Sequence, residues 1–97
     1  MSSKDNGYNI AKRFWEGACG IVLEPEKNKA TGEYFWTYRF TRAFKRDEDS
    51  VFEYSERFTD RNDEAIGVLT SLAITFREQN DPAEWVAFHM QWDKEAA

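Results

Sequence analysis

Cysteine is almost missing: Cys19 is the only one among 97 residues. No intramolecular disulfide can form, and a reducing compartment suits the chain. Histidine is equally scarce, with His89 alone, so a zinc site would need Cys or carboxylate partners at a spacing that is not there. Cys19 lies far from His89 in the chain and inside an apolar stretch, where a small buried side chain is the expected role rather than a nucleophile. Long apolar runs are absent too. Nothing approaches the ~18 consecutive apolar residues of a membrane span, and the start of the chain, MSSKDNGYNIAKR, lacks the apolar centre of a signal peptide. The expectation is a cytoplasmic protein without a membrane segment. No phosphate-binding glycine loop occurs. The acids Glu53, Glu56, Asp60, Asp63 and Glu64 read as solvated strand and helix-cap positions rather than a catalytic pair. We expect no enzyme, no metal and no cofactor.

What the chain has in quantity is aromatic residues, 16% of the total, within a hydrophobic content of 41% and a charged content of 32%. Those proportions describe a globular domain, and 97 residues allow one core. A chain of this size buries roughly 60–65% of the surface it exposes when unfolded. Large rings fill such a core efficiently. Net charge is −5, which disfavours a generic polyanion binder. The charge is uneven, however. Residues 34–46 carry four cations and no acid, whereas residues 47–64 carry eight acids against Arg57 and Arg61.

Residues 1–9 read as a mobile polar tail and residues 10–97 as a single α+β domain. A first strand is expected from about Phe14 to Leu23, with Trp15, Gly17, Cys19, Ile21 and Leu23 on its core face, ended by Pro25. The polar loop from Glu24 to Gly32 then joins it to an antiparallel neighbour. The central strand, Glu33 to Arg46, reads EYFWTYRFTRAFKR. Its alternation puts Tyr34, Trp36, Tyr38 and Phe40 toward the core, and Phe35, Thr37, Arg39 and Thr41 on the other face. An acidic turn at Asp47–Ser50 leads to a third strand, VFEYSERF, with period-two alternation.

Asp60 or Asn62 can cap a helix over 62–79, with Asp63 and Glu64 favoured in its first turn. Ala65, Ile66, Leu69, Leu72, Ala73 and Phe76 form the stripe that faces the sheet, and Ile74 lies off it. Gly67 inside this helix suggests a close packing contact. Asp81-Pro82-Ala83-Glu84 combines a cap, an N1 proline and a capping-box acid, predicting a short C-terminal helix with Trp85, Phe88 and Trp92 on one face. Val86, Phe88, Met90 and Trp92 also alternate as a fourth strand would. The expected architecture is a three-stranded antiparallel meander, or four-stranded on that alternative, with the long helix packed on one face.

Two uses of the surplus aromatics follow. Apolar surface at Ile74, Trp85 and Trp92 suits a protein–protein interface, and the leading expectation is a non-enzymatic binding module that acts as a homodimer or binds another protein. Alternatively, Phe35, Arg39, Arg42, Lys45 and Arg46 have the residue types that grip single-stranded nucleic acid, rings for bases and cations for phosphates.

The succession of hairpin-linked strands, the segment Phe35 to Arg46 ending in FTRAFKR, and the capped helix is architecturally similar, over roughly residues 14–79, to small single-stranded-DNA-binding domains of the Whirly and positive-coactivator type. That resemblance implies a curved antiparallel sheet before a dimerising helix. It also implies nucleic acid lying across the strands near Phe35, Arg39, Arg42 and Arg46.

Overall fold

A computed structural model describes residues 10–96, with side chains for 10–90. The expected tail at residues 1–9 and the side chain of Trp92 lie outside the described residues. Four strands, β1 (Lys12–Glu16), β2 (Cys19–Lys27), β3 (Tyr34–Phe44) and β4 (Glu53–Ser55), pair in chain order as an antiparallel meander. Two helices follow, α1 (Asp63–Gln79) and α2 (Pro82–Ala96), so the class is α+β as expected. No described helix is long and apolar enough to cross a membrane.

The expected first strand is in fact two. Gly17 takes φ of 59°, a left-handed conformation that favours glycine. With Ala18 it makes a two-residue loop between Glu16 and Cys19, folding the segment into a hairpin. The fourth strand therefore comes from the start of the domain, and 82–96 is helical. Pro25 does not end β2 but sits within it, opposite Trp36. β1 pairs with β2 only as far as Leu23, so beyond it β2 is an edge strand, where a missing N–H is tolerated. The loop after β2 is organised by Asn28, whose Oδ1 accepts from the Ala30 and Thr31 amides, and closed by Gly32 at φ 79°.

β2 carries the core. Cys19, Ile21 and Leu23 point to the helix side and are buried with Leu69 and Ala73 of α1. Complete burial of an Ile or Leu side chain contributes about 1.5–3 kcal/mol. Phe14, Trp36, Phe40, Phe58, Ala65 and Phe76 pack around this centre. Helix α1 lies over β1 and β2, and α2 over β2 and β3. Trp36, Phe76 and Trp85 meet edge to face, with centroids 5.0–5.9 Å apart, locking the two helices to β3.

The helix starts have distinct caps. Before α1, a 3-10 turn over Asp60–Asn62 begins at Thr59, whose Oγ1 accepts from the Arg61 amide while its own N–H donates to Asn62 Oδ1. Thr59 caps this turn, and Asn62 holds the N-cap position of α1 as expected but makes no side-chain cap bond to it. At α2 Asp81 caps as expected: its Oδ2 accepts from the Glu84 amide and its carbonyl accepts from Trp85 N–H, with Pro82 as the first helical residue.

Of the predicted stripe on α1, Leu69 and Ala73 are buried, and Ala65 and Phe76 pack beside them. Leu72 stays 39% exposed. Gly67 has no close neighbour: a β-carbon there would meet nothing within 4 Å. The expected tight contact does not exist, and the residue only loosens the helix. Gly67→Ala is therefore expected to stabilise the protein by about 0.5–1 kcal/mol, measured by urea unfolding at unchanged m value.

Candidate functional site

Both helices cover one face of the sheet. On the other face, strand alternation and register place Arg13 and Trp15 of β1 beside Gly20, Val22, Glu24 and Glu26 of β2. Next to these come Phe35, Thr37, Arg39, Thr41 and Ala43 of β3, then Tyr54 of β4. No described element covers this side. Among the described residues six hydrophobic side chains are buried while eleven large ones are exposed, so the fold leaves apolar surface uncovered. Trp15, Phe35, Phe52 and Tyr54 of that exposed set lie on or beside the open face.

At the turn end of the face the rings form a groove. Trp15 lies flat across its partner Gly20: a β-carbon there would approach three carbons of the indole six-membered ring to 2.9–3.1 Å. Glycine thus lets a ring from the edge strand fold inward over the sheet, and one face of that ring is shielded while the residue stays 47% exposed. Tyr54, from the opposite edge strand, comes to 6.5 Å between centroids. Trp15, Tyr54 and Phe52 are the walls and Gly17, Ala18 and Ala43 the small residues of an almost wholly apolar depression of about 380 Å³.

Polar groups line the rest of the face in rows. Arg13 and Arg39 flank Val22 in register. Arg39 Nη2 is 3.5 Å from Glu24 Oε1, with both side chains about half exposed. Thr37 Oγ1 donates to the Glu24 carbonyl and lies 3.4 Å from Glu26 Oε2. Two arginines and two glutamates therefore share the face.

The residues expected to form one basic strip are divided. Phe35 and Arg39 lie together on the open face, with Phe35 43% exposed. Arg42 has the opposite phase: its Nε donates to the Arg57 carbonyl at 2.8 Å and its guanidinium covers Phe44, bracing the chain after β4. Lys45 sits 4.8 Å from the Phe52 ring centre. Arg46 Nε donates to Glu53 Oε2 at 2.6 Å. Of the expected interface residues, Ile74 is exposed on α1 at 37%. Trp85 is engaged within the chain's own fold, between Trp36, Phe76 and His89, and its indole N–H donates to the Ile10 carbonyl at 2.6 Å. His89 Nδ1 contacts the Trp85 carbonyl at 2.8 Å; because a carbonyl only accepts, that nitrogen carries the proton. Cys19 is a buried free thiol, and no metal-holding cluster occurs among the described residues.

Sequence reasoning passed over Trp15, Phe52 and Tyr54 as site residues. The available signal was Gly17-Ala18 as a hairpin loop, which puts Gly20 opposite Trp15, a glycine roofed by a cross-strand aromatic. Comparison with protein-family models, curated proteins and solved structures finds no match.

Two outcomes test this placement. Gly20→Ala is expected to lift Trp15 from the sheet, raising acrylamide quenching of its fluorescence in a protein whose other tryptophans are replaced, with the fold retained by circular dichroism. Trp85→Phe, losing the indole hydrogen bond, is expected to cost about 1 kcal/mol or more of stability in urea unfolding, whereas Ile74→Ala stays within about 0.5 kcal/mol.

Proposed function

We propose that the protein is a non-enzymatic protein-interaction module, acting as a dimer in the cytoplasm, whose working surface is the uncovered face of the sheet. The observation that carries this reading is the Trp15–Tyr54 groove: rings from both edge strands meet over glycine and alanine, leaving an apolar depression open to solvent. Monomers rarely leave such a patch bare, and aromatic side chains dominate the energetics of protein interfaces. The chemistry of the face is recognition. It holds a shaped apolar recess and paired charges, with no group of nucleophile, base and orienter.

A second reading, single-stranded nucleic acid, has one specific support. Trp15 offers a flat exposed ring on the same face as Arg39, as base stacking beside phosphate neutralisation requires, with Phe35 three rows away at the far end of that face. Against it, Glu24 and Glu26 occupy the same face and would oppose a polyanion, and Arg42 and Arg46 are engaged elsewhere.

Site-specific photocrosslinking separates the readings. Phe52→p-benzoylphenylalanine is expected to give protease-sensitive, nuclease-resistant adducts in the producing cell, while the same group at Ile74 gives few. Nuclease-sensitive adducts from position 52, together with oligonucleotide binding that falls steeply with salt and is lost in Arg39→Glu, would replace the protein reading by the nucleic-acid one. No adduct from position 52 would remove both.

A further inference from the structure

We infer that the partner seated on the open face is a second copy of this chain, packed sheet to sheet about a two-fold axis. The inference rests on the reading of that face as a protein-binding surface and goes on to name the partner.

The argument is the order of the rows. Along the strands, equivalent side chains on one face recur every second residue, about 6.8 Å apart. From the turn end, the first row holds Ala43 and Tyr54; the second, Trp15, Gly20 and Thr41; the third, Arg13, Val22 and Arg39; the fourth, Glu24 and Thr37; the fifth, Glu26 and Phe35. An axis lying between the sheets, across the strands and midway between the Val22 and Glu24 rows, exchanges the third row with the fourth and the second with the fifth. Glu24 of each copy then lies over Val22 of the other, between Arg13 and Arg39. Phe35 of each copy lands over Thr41 of the other, beside the flat Trp15 ring and the mouth of the groove.

The exposed ring at the far end of the face thus meets the mouth of the apolar recess, and Glu24 of each copy meets a pair of bases, while Glu26 falls over Gly20 beside the Trp15 ring. A two-fold interface requires this self-complementarity, because the same patch serves both subunits. Face-to-face packing of two sheets is also the usual way to bury such a surface. The Arg39–Glu24 pair within one copy is no obstacle. It is half exposed at 3.5 Å, so exchanging it for a pair between copies costs little. Neutrality of the face selects against the alternatives, since a polyanion would meet Glu24 and Glu26 and a strongly acidic or basic protein would meet an unmatched half.

Sedimentation equilibrium on the full chain tests the inference, with Arg39→Glu and Glu24→Arg as charge-reversed variants and circular dichroism confirming that each folds. The wild-type chain is expected to dimerise, and each reversed variant alone to dissociate, its Kd raised roughly tenfold or more. An equimolar mixture of the two variants is expected to recover a heterodimer, since Glu24 of one chain again meets Arg13 and Arg39 of the other. A wild-type chain that stays monomeric at submillimolar concentration overturns the inference. So do variants that dimerise as well as wild type, which would place the contact on another surface. Photocrosslinking at Phe52 keeps the two levels apart. Adducts to a different protein from a monomeric chain remove the second copy and leave the binding face, whereas absence of any adduct removes the face itself.

Discussion

Gly17 holds a backbone φ of 59°, and the division of the sheet into a covered and an uncovered side follows from it. A residue with a β-carbon is disfavoured there, and without the tight loop at 17–18 the chain from Phe14 to Leu23 would run on as one strand. Folding it back reverses the facing of everything before the turn. Phe14 comes into register with Ile21 on the helix side, and Trp15 comes into register with Gly20 on the open side. One left-handed residue thereby fills a gap beside the core and exports an indole to the surface.

The covered side closes through rings more than through aliphatic side chains. Ile21, Leu23, Leu69, Cys19 and Ala73 make a small buried centre. Around it Phe14, Phe76, Trp36 and Trp85 contact one another at angles near perpendicular, the arrangement favoured by the ring quadrupoles. Two indole N–H groups reach backbone carbonyls at the ends of elements: Trp36 that of Asn80 after α1, and Trp85 that of Ile10 before β1. These bonds fix the ends of the helix layer and satisfy donors that burial would otherwise leave costly. Trp85 is thus committed to holding α2 on the sheet.

Much of this was legible from residue pattern. The alternation of residues 34–41 assigns Trp36 and Phe40 to the core and Phe35 and Arg39 to the other face, and that is where they lie. Tyr38 shares the core phase yet stays 37% exposed, so phase alone does not secure burial. The Asp81-Pro82-Ala83-Glu84 signature specifies a helix start because its hydrogen bonds are local. The basic strip was not legible as a strip. Arg42 and Arg46 are near Arg39 in the chain, but their geometry depends on Arg57 and Glu53, which β4 brings alongside β3.

Local chemistry alone thus specifies the class of fold, the helix starts and the two faces of β3, because period, caps and turn residues act over a few positions. The groove is of another kind. Trp15 and Tyr54 stand on opposite edge strands, and their meeting depends on the complete order β1-β2-β3-β4 and on small residues at Gly20 and Ala43 beneath them. No window of sequence contains both rings. Which aromatics became core and which became surface was decided by pairing between distant segments, where burial energy is shared among strands and belongs to no single one.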